Sequence, residues 1–242
     1  MIDFHSHILP KIDDGSSSSD ESLRMLSITK EQGINYIVAT PHFYASEESP
    51  SDFLIRRDSS YKRMTEKTNN LDLPVIIPGA EVGYFEGMSD CEDLKKLKIT
   101  GTPLLMVEMP VCRWSDRMLN ELVSVYEKQD IIPLIAHIDR YMKLLHTKSV
   151  IDKLCGLPVL IQANASFFIN KKTSRIALSL LSKGKIHLLG SDCHNTTSRQ
   201  PNLGFAREII SNKLGDDAVN KVISNGRLVF TQKKSSVEEL FI

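Results

Sequence analysis

Asp3-Phe4-His5-Ser6-His7, preceded by Met1-Ile2, is the stretch on which the reading of this chain turns. Met1 to Phe4 is a short apolar run that predicts a first strand. Side chains alternate along a strand, so His5 and His7 share a face near its C-terminal end, where two imidazoles can grip one metal ion. A single His-x-His is weak, because alternation puts many pairs on one face. The same punctuation recurs down the chain, however. Pro41-His42, Gly79-Ala80-Glu81, Val107-Glu108, Ala136-His137 and Gly190-Ser191-Asp192-Cys193-His194 each close an apolar, strand-like run with a potential ligand.

Working outward, strand-like runs fall at Met1–Phe4, Tyr36–Thr40, Val75–Pro78, Leu104–Val107, Ile131–Ile135, Val159–Ile161 and His187–Leu189. Helical patterns lie between most of them. Ser18 to Gln32 opens with a possible capping box, Ser18-x-x-Glu21, and stops at Gly33. Asp52 to Asn69 is long and polar. Asp116 to Gln129 carries Leu119, Leu122, Val123 and Tyr126 at helical spacing. Ser174–Lys183 and Asn202–Leu214 end at glycines, and Asp216–Ser224 gives a last helix before Gly226. Seven strands separated by helices predict a parallel sheet closed into an α/β barrel, read as one domain over 1–242.

In such barrels the C-terminal strand ends carry the chemistry, and the candidate ligands fall at those ends. They are His5, His7, Asp13 or Asp14, His42, Glu81, Glu108, His137, Asp192 and His194. Imidazole mixed with carboxylate suits Mn, Fe or Zn. Nine ligands are too many for one ion and suffice for two or three. Paired metals suit phosphate ester hydrolysis, with a carboxylate such as Glu81 bridging them and a deprotonated bridging water as nucleophile. Cys193 and Arg199 also fit C-x5-R, the pattern of thiolate phosphatases. That match is read as chance: the loop lacks cradling glycines, and Asp192 and His194 flank the thiol. Phe43, Tyr44, Tyr84 and Phe85 follow ligand-bearing strand ends and offer either a wall for a phenyl ring or simple packing.

Composition narrows the classes. Lys+Arg and Asp+Glu both number 30, so no basic bias argues for nucleic acid. No run of about 18 apolar residues predicts a membrane span. The N-terminus lacks the basic and apolar regions of a signal peptide. Cys91, Cys112, Cys155 and Cys193 lack C-x-x-C spacing and read as free thiols of a cytoplasmic protein.

Residues 1–15, Met-Ile-Asp-Phe-His-Ser-His-Ile-Leu-Pro-Lys-Ile-Asp-Asp-Gly, resemble the signature of the polymerase and histidinol phosphatase (PHP) superfamily. With Ala39-Thr40-Pro41-His42, Gly79-Ala80-Glu81, Leu105-Met106-Val107-Glu108, Ala136–Tyr141 and Gly190–Asn195, the chain resembles more narrowly the capsule-type, metal-dependent bacterial protein-tyrosine phosphatases. The resemblance implies a distorted (β/α)7 barrel with parallel strands, outer helices and three metals, manganese by preference. It implies one metal on His5, His7, Glu81 and Asp192, a second on Glu81, Glu108 and His137, and a third on Asp14, His42 and His194. It implies phosphate binding by Arg140 and Arg199. It implies a phosphotyrosine protein substrate, the C-terminal tail of a bacterial tyrosine kinase of exopolysaccharide synthesis. Histidinol-phosphate or other phosphomonoester hydrolysis and phosphodiester cleavage are the alternatives. The chain departs from the family pattern at Lys11, where glycine is common, at Ile138-Asp139, where Pro-Glu is usual, at Cys193, and after Arg199.

Overall fold

The computed structural model describes residues 1–144, 148–231 and 233–241. Nine short strands are present: β1 (Ile2–Ser6), β2 (Tyr36–Ala39), β3 (His42–Phe43), β4 (Val75–Pro78), β5 (Glu81–Gly83), β6 (Leu104–Glu108), β7 (Ile132–Ile135), β8 (Leu160–Asn164) and β9 (Leu188–Gly190). They alternate with α1 (Ser19–Glu31), α2 (Pro50–Thr68), α3 (Asp116–Gln129), α4 (Ile138–Leu144), α5 (Lys148–Leu154), α6 (Ala165–Ile169), α7 (Ser174–Ser182), α8 (Leu203–Leu214), α9 (Asp216–Leu228) and α10 (Lys234–Glu238).

All pairings are parallel, in the orders β1-β2-β4 and β3-β5-β6-β7-β8-β9. The two ladders belong to one sheet. Ala39 stands opposite Pro78 and His42 opposite Glu81, so the register runs straight across the breaks at Thr40-Pro41 and Gly79-Ala80. β2 with β3, and β4 with β5, are therefore two interrupted strands, which leaves seven staves. The ring closes between β9 and β1: Asp192 N–H donates to the His5 carbonyl at 2.8 Å and His7 N–H to the Cys193 carbonyl at 2.9 Å. The expected (β/α)7 barrel is the fold observed. Gly190 permits the closure, since a Cβ there would stand 2.5 Å from His5 Cβ.

The strands reach further than their apolar runs. β1 extends to Ser6, β6 to Glu108, β8 to Asn164 and β9 to Gly190. Ladder hydrogen bonds are made by the backbone, so a polar side chain does not end them. Alternation then explains the interior. Leu104 and Met106 lie below Glu108, Leu160 below Gln162 and Asn164, and Leu188 below Gly190 and Asp192. The lower members pack with Phe4, Val38, Leu134 and Ala136 into an apolar plug, and the upper members form its polar lid. The opposite faces of the strands, through Val82, Leu105, Val107 and Ile135, meet Phe53 of α2 and Leu119, Leu122 and Val125 of α3 in the main core.

Local signals account for the helix ends. Ser18 Oγ caps α1 by accepting Glu21 N–H at 3.2 Å, but Glu21 turns to Ser17 rather than completing the box. α2 begins earlier than its polar pattern, because Ser49 caps it and Pro50 holds the first turn. α9 runs on through Gly226, where the expected stop fails. The missing Cβ lets the helix lie against the Phe4 ring, which a Cβ would meet at 3.1 Å. Nor is α9 the last helix, since α10 follows it.

Candidate metal centre

Every strand end named from the sequence delivers its residue to one mouth of the barrel. Glu81 is the hub and is fully buried. Its Oε2 lies 3.0 Å from His5 Nε2, 3.2 Å from His7 Nε2 and 3.3 Å from His42 Nδ1; its Oε1 lies 2.7 Å from His137 Nε2. Asp192 Oδ1 stands 3.6 Å from His5 Nε2, 3.5 Å from His7 Nε2 and 3.8 Å from His194 Nδ1. Glu108 Oε1 is 3.4 Å from His137 Nε2. Asp14 Oδ1, the exposed member, lies 3.6 Å from His42 Nε2 and 3.4 Å from His194 Nε2. Asp13 plays another part: its carboxylate holds His7 Nδ1 at 2.7 Å and accepts the His42 and Gly15 N–H groups. That separates Asp13 from Asp14, which the sequence alone left open.

Two arginines complete the mouth. Arg140 donates from Nη1 to Glu108 at 3.1 Å and from Nη2 to Asp192 at 2.8 Å, and Arg199 donates from Nη2 to the other Asp192 oxygen at 2.8 Å. Both stay about one-third exposed, so each keeps a face toward solvent. Arg140 does not pair with Asp139, which instead accepts the Asn164 N–H at 3.0 Å.

The electrostatics follow from crowding. Burial would raise the Glu81 and Asp192 carboxyls, but the histidines around them in their protonated form, His5 foremost, hold both well below the ordinary range. Burial would lower His7, yet its bonds to Asp13, Asp192 and Glu81 hold it well above its usual value. Burial and the charge of His7 push His194 down to about 4. His137 and Asp192 both adopt left-handed backbone, φ +29° and +54°, a strain tolerated where the surrounding fold imposes it.

The donor set fits divalent metal. His5 Nε2 and His7 Nε2 stand 3.2 Å apart and aim at the same Glu81 oxygen, as donors converging on one point do. Three groups have ligand atoms within 4.8 Å of one another: His5, His7 and Glu81; His42, Glu81 and Glu108; and His7, Asp14, His42 and His194. His194 Nε2 and His137 Nδ1 are buried without a hydrogen-bond partner among the described residues. Cys193 is unsuited to be a nucleophile. It is fully buried in the cluster of Ile8, Leu9, Met25 and Ile37, and burial pushes its thiol up, away from the thiolate. Of the four aromatics, Phe43 packs in the core against Phe53. Tyr44 belongs to the mouth: it stacks on His42 at 5.3 Å between ring centroids and donates to Glu108 at 3.2 Å. Sequence reasoning missed Gln162 and Asn164, which reach His5, His137 and Asp192 from β8.

Comparison with known proteins places this geometry among relatives. The sequence model described as "Capsular polysaccharide synthesis, CpsB/CapC" matches residues 1–230. Tyrosine-protein phosphatase CpsB of Streptococcus agalactiae serotype III (strain NEM316) is 28% identical over 233 residues, 92% of this chain and 94% of that protein. Tyrosine-protein phosphatase YwqE of Bacillus subtilis (strain 168) is 28% identical over 242 residues, 95% of this chain and 91% of that one. The fold superimposes with a TM-score of 0.81 at 24% identity, covering 96% of each chain, on a solved structure from work on YwqE of Bacillus subtilis and CpsB of Streptococcus pneumoniae, described there as metal-dependent tyrosine phosphatases. A histidinol phosphate phosphatase of Lactococcus lactis, solved with zinc, L-histidinol and phosphate, shares the fold at a TM-score of 0.56 and 12% identity, over 87% of this chain and 92% of that one.

Proposed function

Because the chain belongs to the CpsB/CapC family of capsular polysaccharide synthesis, we propose that it is a metal-dependent phosphatase that hydrolyses phosphotyrosine in proteins. The observation that carries this reading is the convergence of five imidazoles and four carboxylates on one mouth, beside two half-open guanidinium groups. His5, His7, Glu81 and Asp192 would hold one ion, Glu81, Glu108 and His137 a second, and Asp14, His42 and His194 a third. Bound there, divalent metal, manganese first, would acidify a water as nucleophile and neutralise phosphate charge. The residues do the rest. Arg140 and Arg199 present planar forks to equatorial phosphate oxygens, where transition-state charge spreads. Asp13 fixes the His7 ring from behind. Tyr44 offers an aromatic face at the rim for the substrate phenyl ring.

The substrate we favour is the C-terminal tail of a bacterial tyrosine kinase of exopolysaccharide synthesis. The relatives' capsular role supports it, and a flexible tail suits a mouth whose ligands lie at the surface end of the barrel. The cytoplasm is the proposed location: the four cysteines are free thiols, as a reducing compartment keeps them. No helix among the described residues is long and apolar enough to cross a membrane. The test is initial rates on a phosphotyrosine peptide, histidinol phosphate and single-stranded DNA, each after chelation and after adding Mn²⁺. Turnover of the peptide alone, and only with metal, is expected. Faster hydrolysis of histidinol phosphate or DNA would sink the reading.

A further inference from the structure

Among the described residues β8 is the strand whose end carries no candidate ligand, yet its inward row finishes in Gln162 and Asn164, both buried. Gln162 Oε1 lies 2.6 Å from the His137 backbone N–H and 3.3 Å from His5 Nδ1. Gln162 Nε2 lies 3.1 Å from Asn164 Oδ1, and Asn164 Nδ2 lies 2.9 Å from Asp192 Oδ2. The direction of these bonds is not a free choice. A backbone N–H only donates, so Gln162 must turn its oxygen toward His137. An ionised carboxylate only accepts, so Asn164 must turn its NH2 toward Asp192. Each end fixes an amide independently, and the two agree in the middle, where Gln162 donates to Asn164.

The remaining contact is then determined as well. His5 Nδ1 faces an oxygen and must carry the proton. We propose that Gln162 and Asn164 are positioning residues that lock His5 as its Nδ1–H tautomer and leave Nε2 a bare lone pair. That lone pair faces Glu81 Oε2 at 3.0 Å and Asp192 Oδ1 at 3.6 Å. With the ring neutral, acceptors face one another there, and they call for a cation between them, a proton or a metal ion. The chain thus ties two of the residues assigned to one ion, His5 and Asp192, through neutral amides that do not themselves bind metal. Its role as a metal support rests on the reading proposed above.

Histidine-selective 15N labelling of the full chain after chelation, read by long-range 1H–15N correlation above the imidazole titration range, reports the His5 tautomer directly. Wild type should show Nδ1–H. Gln162→Leu should lose that preference and bind Mn²⁺ about tenfold to a hundredfold more weakly by calorimetric titration, the range typical of lost outer-shell partners. Gln162→Glu, which still accepts from His5 but cannot donate to Asn164, should keep the tautomer and lose part of the affinity. It stands in if the leucine variant does not fold. An Nε2–H signal at His5 in wild type would overturn the proposal. So would a Gln162→Leu protein that keeps the tautomer and the wild-type affinity. Wild type that shows Nδ1–H but takes up no Mn²⁺ upholds the hydrogen-bond chain and overturns the metal reading instead.

Discussion

Among the described residues Asp192 is touched by more of the mouth than its neighbours, Glu81 included: three imidazoles, two guanidinium groups and one amide converge on its two oxygens. That sharing separates residues that would hold metal from residues that would hold phosphate. Arg140→Ala should keep metal content, measured by elemental analysis, yet lose about a hundredfold to a thousandfold in turnover, the cost of removing one donor aimed at transition-state charge. Arg140→Lys should rescue poorly, because a point charge does not reproduce the planar fork. Near wild-type turnover in Arg140→Ala would move the phosphate role to Arg199. Cys193→Ser should leave most of the metal-dependent activity in place, and total loss with metal still bound would revive the thiolate route. Eight of the nine candidate ligand positions were legible because each is a metal-seeking residue type at or just past the end of an apolar run, whereas Asp14 could not be told from Asp13. Gln162 and Asn164 were not legible, since a neutral amide has no such signature and only direction of hydrogen bonding reveals its work. Lys11 explains itself too: its φ of +59° is left-handed, the region that makes glycine common there.

At the scale of elements, the seven staves could be read from apolar runs, but their upper ends could not, because those ends are polar and ladder pairing ignores side-chain polarity. The short α4 and α6 escaped for the opposite reason: they are too brief to show a helical period. Gly190 is where this has an energetic edge. Its Cβ would meet His5 Cβ at 2.5 Å and Gln162 Nε2 at 2.9 Å. Gly190→Ala should therefore wedge β9 from β1, cost about 1–3 kcal/mol as overpacking does, and weaken metal binding with it. Urea unfolding and calorimetric Mn²⁺ titration measure the two effects. A variant with wild-type stability would show that the two strands part without strain.

At the scale of the whole molecule, an acid-sensitive post stands away from the mouth. His187 is buried, its Nδ1 accepts the Ile161 N–H at 2.9 Å, and burial pushes it down to about 4. The unfolded ring takes up its proton near 6.5, so between the two values the unfolded chain binds more protons. The stability due to this ring is complete above about pH 6.5 and is lost as pH falls toward 4, on the order of 3 kcal/mol in all. The urea midpoint of chelated protein should fall over that window, and His187→Gln, which still accepts from Ile161 but does not titrate, should flatten the slope. An equally steep slope in the variant would remove His187 from the account. The barrel's closure has a further consequence, in the order of events during synthesis. The seam joins residues 5–7 to residues 190–193, so His5 and His7, once synthesised, wait until residues 190–193 have followed them before their last strand partner exists. Through that interval β1 has an open edge, the state in which nascent sheets are most exposed to wrong partners. His5 and His7 meet Asp192 only when the last stave closes, so completion of the ring and completion of the site are one event.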